Sequence, residues 1–147
     1  MPIRVSIRDQ RLRLFSGSQL VREYVISSAA NGTGFEEGSY CTPMGRFEIS
    51  EMIGAEEPEG TIFRAREAVG LWDGSSDGGD LVLSRILWLH GLDADNANTK
   101  SRYIYIHGTN HEDRLGIPAS CGCIRMSNED VIDLFDRVQP GERVEIL

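Results

Sequence analysis

The sequence predicts a mainly β domain with a single helix, at about residues 127–138. Two observations carry this. Apolar residues recur at every second position in segment after segment, the period of a half-buried strand. Only one stretch, Val131, Leu134, Phe135 and Val138, recurs at helical spacing. No repeats, low-complexity tracts or linker interrupt the 147 residues, so all of residues 1–147 read as one domain, large enough to bury a core without staples.

Ile3, Val5 and Ile7 alternate with polar residues as a first strand, and Leu12 and Leu14 continue the pattern. Ser16-Gly17-Ser18 is a turn, with Leu20 to Ile26 returning as the hairpin partner. Asn31-Gly32-Thr33-Gly34 opens a loop that closes at Pro43. Phe47-Glu48-Ile49 reads as strand, Ala55–Gly60 as an acidic loop, and Leu71–Gly79 as a Gly/Ser/Asp-rich turn region. Ser84–His90 is apolar on both faces, as a buried strand is. Asp93–Lys100 is a polar loop, and Arg102–His107 is a β-prone run that ends on a histidine. Ser127 is a good N-cap for the helix, and Asn128-Glu129-Asp130 places acid against the positive end of its dipole. Pro140-Gly141 stops the helix, and Arg143–Leu147 alternates as a last strand.

A composition of 40% hydrophobic and 26% charged residues is ordinary for a globular chain. The net charge of −8 argues against nucleic acid, whose phosphates it would repel. No basic block suggests an anionic membrane surface, and no apolar run approaches the roughly 20 residues of a membrane span. Three cysteines are too few, and odd in number, for a disulfide framework.

The chemistry concentrates in His107-Gly108-Thr109-Asn110 and Ser120-Cys121-Gly122-Cys123-Ile124-Arg125-Met126. A Cys/His pair suffices for a thiol nucleophile, Cys123, with His107 taking its proton and returning it as general acid. Gly122 lets backbone amides approach an oxyanion. Arg125 is a fixed cation suited to a carboxylate. Thr109, Asn110 and Ser120 offer hydroxyl and amide groups to His107 or to a bound peptide, though short polar residues in loops often only close turns. The bland readings are a buried inert cysteine, a satisfied histidine at a sheet rim and a surface ion pair for Arg125. His90 reads as structural or pocket-lining and His111 as solvated. His107, Cys121, Cys123 and Cys41 are metal-capable. Cys-x-Cys with one histidine is not a standard ligand spacing, however, so no metal or other cofactor is expected.

These residues resemble the signature of the L,D-transpeptidase catalytic domain (YkuD) family: a His-Gly-Thr strand end, a loop, then Ser-His-Gly-Cys, an apolar residue and Arg or Asn. Here His107-Gly108-Thr109 and Ser120-x-Gly122-Cys123-Ile124-Arg125-Met126 match in order and approximate spacing. Thr42-Pro43-Met44-Gly45-Arg46-Phe47 is similar to the family's Thr-Pro-x-Gly-x-Phe, and Gln10–Phe15 to its opening hairpin. One position departs: Cys121 stands where the family has a pocket-lining histidine. The resemblance implies a β-sandwich of mixed sheets with the site at one end, and a Cys123 acyl-enzyme formed on peptidoglycan stem peptides or muropeptides. Carboxypeptidase or amidase action on the same substrates, and a non-catalytic peptidoglycan-binding module, are the alternatives. Cys121 joins Arg125, Ser120, Thr109 and Asn110 as an expected substrate contact. Met1–Arg8 is strand patterning and not the apolar core of a signal peptide, so the expectation from the chain as written is cytoplasmic, whereas the resemblance implies the periplasm or cell wall.

Overall fold

The computed structural model describes residues 1–76 and 78–147; Asp77, within the expected Leu71–Gly79 turn region, lies outside the described residues. The strands are β1 (Ile3–Ser6), β2 (Arg11–Ser16), β3 (Gln19–Ser27), β4 (Gly45–Ile53), β5 (Thr61–Arg64), β6 (Glu67–Leu71), β7 (Val82–Gly91), β8 (Tyr105–Gly108), β9 (Ile124–Met126) and β10 (Arg143–Ile146). A 3₁₀ turn spans Glu112–Arg114, and the helix α1 spans Asn128–Arg137.

The expected sandwich is not what forms. The strands run in one sheet, β4-β10-β1-β2-β3-β9-β8-β7-β5-β6, and β4 also pairs with β7. Eight strands therefore close on themselves as a barrel, with the β5–β6 hairpin appended. Closure works because β4 hydrogen-bonds on both sides: Phe47 and Glu48 face Val144 and Arg143 of β10, and Gly91 and His90 of β7. A bulge between Ile49 and Glu51 bends β4 for this double duty. Closure removes the edges of the eight ring strands and leaves β6 as an edge.

Alternation along each strand fills the interior. Ile3, Val5, Leu12, Leu14, Ile26, Phe47, Ile49, Leu87, Leu89, Ile106, Ile124 and Met126 form one buried cluster. The helix packs on β7 and β8 and adds Val131, Leu134 and Phe135 to it. Ser127 Oγ accepts from the Asp130 N–H, so the N-cap stands where the sequence places it.

Two segments differ from expectation. The run Arg102–His107 becomes strand only at Tyr105, because Tyr103 sits at φ +58, a left-handed conformation that cannot continue a strand. The β5–β6 hairpin has no Gly or Asn at its turn. Its reversal is made by Ala65 and Arg66, both left-handed (φ +50 and +66). Such a turn strains each residue by about 1 kcal/mol, and no turn-residue signal announces it.

Candidate active site

The site grows from the parallel pairing of β8 with β9. Ile106 lies opposite Ile124 and His107 opposite Arg125. Since Ile106 and Ile124 point into the barrel core, the alternation sends Tyr105 and His107 to the other face. Ile86 and Trp88 of β7 lie opposite His107 and Tyr105 and share that face. A second apolar cluster forms there from Phe63, Ile86 and Tyr105, with Trp88 and Cys123 packed against it. The thiol of Cys123 thus sits on an apolar wall, on the face of β8 that also bears His107.

Two backbone groups hold the sulfur. The Tyr105 N–H donates to Cys123 Sγ (3.3 Å), and the thiol donates to the Tyr103 carbonyl (3.4 Å). His107 is 1% exposed, and its Nδ1 lies 2.6 Å from the Gly108 carbonyl. A carbonyl only accepts, so Nδ1 carries the proton and Nε2 keeps its lone pair, the tautomer a general base needs. Burial lowers the His107 pKa below its ordinary 6.5, with Arg125 adding to the effect; the Asp80 charge and the bond to Gly108 oppose it. Burial also pushes the Cys123 thiol up to about 12, against the Tyr105 N–H, which favours the thiolate. The pair therefore rests as neutral thiol and neutral imidazole.

Gly122 is required where it stands. Its φ is +128, and a Cβ would come 3.3 Å from the Cys41 carbonyl oxygen. Its own carbonyl accepts from Thr42 Oγ1 (2.9 Å), which in turn accepts from the Ala29 N–H (2.9 Å). Thr42 thereby pins the turn before Cys123. The Gly122 N–H donates to Ser120 Oγ at a long 3.2 Å, and Ser120 Oγ donates to the Cys123 carbonyl at 2.6 Å.

Of the residues expected to contact substrate, Arg125, Thr109, Asn110 and Ser120 have partners within the fold. Arg125 is not a free clamp: its guanidinium is buried, lies 3.0 Å from the Asp80 carboxylate and donates to the Ala119 carbonyl (3.2 Å). A cation this buried must be paired inside the protein. Thr109 and Asn110 are buried too, and buried polar groups find internal partners. Thr109 Oγ1 accepts from the His111 N–H. Asn110 accepts from the Leu81 N–H and donates to the Gly79 carbonyl (both 3.0 Å), clamping the loop that carries Asp80. Ser120 braces the turn at Cys123, as above. Cys121 is exposed and lines a cleft of about 180 Å³ with Tyr40, Arg102 and Tyr103. Cys41 and Cys123 are free thiols as well. A larger cleft of about 560 Å³, lined by Ile3, Arg46, Phe47 and Val144 among others, has neither cysteine nor histidine in its lining. His90 lies opposite Glu48 in the β4–β7 ladder, and His111 Nε2 lies 3.3 Å from the Gly79 carbonyl. Among the described residues no three or more His, Cys, Asp or Glu side chains converge as a metal site.

Sequence reading missed Asp80, Thr42, Tyr103 and Tyr105 as parts of the site. Asp80 lies in a Gly/Ser/Asp-rich stretch like any surface turn, and the two tyrosines act through backbone groups that every residue has. Thr42 alone had a signal, in the Thr-Pro-x-Gly-x-Phe segment.

Residues 2–146 match the family model of the YkuD L,D-transpeptidase catalytic domain. A Bacillus subtilis protein named as a candidate L,D-transpeptidase, YqjB, is 35% identical over 105 residues, 71% of this chain and 51% of that one. The chain thus spans about half the length of that curated relative. The crystal structure of an L,D-transpeptidase from Xylanimonas cellulosilytica superposes with a TM-score of 0.65 at 19% identity, over 99% of this chain and 59% of that one. An L,D-transpeptidase from Mycobacterium smegmatis gives 0.64 at 14% identity, over 99% and 57%. At these identities the structures speak for the fold alone.

Proposed function

The chain belongs to the L,D-transpeptidase catalytic domain family, and from that premise we propose that it is a cysteine-nucleophile L,D-transpeptidase acting on peptidoglycan stem peptides. The observation that carries the reading is the placing of one thiol between the Tyr105 N–H and the Tyr103 carbonyl, on the face that also bears His107 with its Nδ1–H fixed on Gly108.

The thiol hydrogen rests on the Tyr103 carbonyl; rotation about the Cβ–Sγ bond turns it toward His107 Nε2. With the thiol pushed up to about 12, little thiolate exists at neutral pH, so proton removal accompanies attack. Sγ bonds to the carbonyl carbon that precedes the terminal D-residue, and His107 becomes imidazolium, a charge the nearby Asp80 carboxylate favours. Backbone amides at Gly122 and Cys123 hold the oxyanion, the Gly122 N–H exchanging its long bond to Ser120 for the stronger charged acceptor. As the carbon–nitrogen bond breaks, the imidazolium gives its proton to the leaving amine, and a thioester remains. An acceptor amine then attacks the thioester, passing its proton through His107 back to the sulfur. Water in place of the amine gives carboxypeptidase action through the same steps.

The test is mutational. Cys123→Ala abolishes turnover of a defined stem tetrapeptide, and His107→Ala lowers it on the order of a hundredfold or more. Wild-type turnover by Cys123→Ala would end the reading.

A further inference from the structure

With Arg125 buried against Asp80, the proposed reaction lacks the cation expected to hold the substrate's carboxylate. The appended hairpin supplies another. Arg66 stands at the tip of β5–β6, in a turn where it and Ala65 are both held left-handed. Its guanidinium carbon lies 4.9 Å from the Trp88 ring centroid and 5.1 Å from that of Tyr103, and Nη1 donates to the Tyr105 hydroxyl (3.2 Å). Trp88 stacks on Tyr103 and meets Tyr105 edge to face. Tyr103 and Tyr105 are the two residues whose backbone groups hold Cys123 Sγ. The same tyrosines therefore grip the nucleophile with their backbones and Arg66 with their side chains.

With one N–H on the Tyr105 hydroxyl, the guanidinium keeps further in-plane donors. It is carried by the side chains of the two tyrosines whose backbone groups hold Cys123 Sγ. Among the described residues no carboxylate lies within ion-pairing distance of Arg66, which is only half-buried; the Glu51 charge acts on it from farther away. Lys100, also over Trp88 (5.1 Å), is already paired with Glu51 (3.2 Å). Arg102 is held by the carbonyls of Gly34 and Cys41 and by the Ser39 hydroxyl.

We propose that Arg66 is the specificity-determining residue of the donor site, binding a free carboxylate of the stem peptide, that of the terminal D-residue released on acylation. This rests on the reading of Cys123 as the acylated nucleophile. Arg66 touches substrate and not the reacting bond, so its effect falls on binding.

The experiment compares two defined stem tetrapeptides, one ending in a free D-alanine carboxylate and one in the corresponding amide. Acylation of Cys123 is followed by intact mass over a range of peptide concentrations. Wild type should prefer the free acid by about tenfold to a hundredfold in kcat/KM, the effect of a charge-assisted pair. In Arg66→Met the acid-to-amide ratio should fall to about one, through a raised KM for the acid. Arg66→Lys should keep an intermediate ratio, since an ammonium retains the charge without the fork. The acid-to-amide ratio of wild type needs no variant, and a value of one overturns the proposal. So does a ratio that survives in Arg66→Met. Acylation of wild type by neither peptide would instead overturn the functional reading, and the donor-site proposal with it.

Discussion

The carboxylate of Asp80 lies 3.0 Å from the guanidinium of Arg125, and both charges act on Cys123 and on His107. Asp80 raises the pKa of both His107 and Cys123, and Arg125 lowers both. Asp80→Asn removes the raising influence and leaves Arg125 as an unbalanced cation. Both pKa values should therefore fall: the acid limb of kcat/KM moves to lower pH, and thiol alkylation begins at lower pH. The variant should also lose about 1–2 kcal/mol of stability, less than the loss from breaking a fully buried pair, because the Asp80 side chain is 26% exposed. Unmoved pH profiles would dissociate Asp80 from the dyad.

The resting state of the proposed dyad has its own signature. The proposed mechanism needs neutral His107, and burial holds its pKa below the ordinary 6.5. The neutral base persists as pH falls through 6.5, so the acid limb of kcat/KM should lie below that value. In His107→Ala the thiol titrates without a base, and alkylation by iodoacetamide should rise only above the ordinary thiol value of 9.0. A limb below 9.0 in that variant would mean a preformed thiolate.

Gly122→Ala tests the turn that presents the sulfur. The new Cβ meets the Cys41 carbonyl, which is backbone and cannot swing away, at a φ that alanine rarely adopts. The loss expected is about 1–3 kcal/mol in urea unfolding, with a larger proportional loss in acylation rate, since the amide and the sulfur move together. Full activity in Gly122→Ala would show that the turn tolerates repacking.

Much of this arrangement was legible in the chain. Apolar patterning located most of the strands that build the barrel, though not β9, whose three residues were read only as motif, and Ser127 with the Val131–Val138 spacing placed the helix to within a residue. Closure was not legible, because β4 pairs with strands far away in sequence on both sides and a period of two says nothing about partners. The β5–β6 hairpin was missed because Ala65 and Arg66 make a turn usually given to Asn and Gly. The Arg125–Asp80 pair was not legible either, because sequence shows a charge and not a carboxylate 45 residues away. Nor were the partners of Asn110, Gly79 and Leu81, which meet it only in the fold.

Arg125→Lys separates positioning from substrate binding. An ammonium can face Asp80 or Ala119 but cannot fork between them, so the Asp80 loop should loosen while charge is kept. The expected result is a loss of roughly tenfold in kcat, with the shifted pH limb seen in Asp80→Asn and little change in KM. A defect confined to KM would return Arg125 to the role of substrate clamp.

The most direct test of the central claim is the intact mass of the protein after brief exposure to a stem tetrapeptide ending in D-alanine. The account predicts a mass gain equal to the peptide less D-alanine, located on Cys123 by fragmentation, with one D-alanine released per acylated protein and no adduct in Cys123→Ala. An adduct on Cys41 or Cys121, or turnover without any thioester on Cys123, would contradict it.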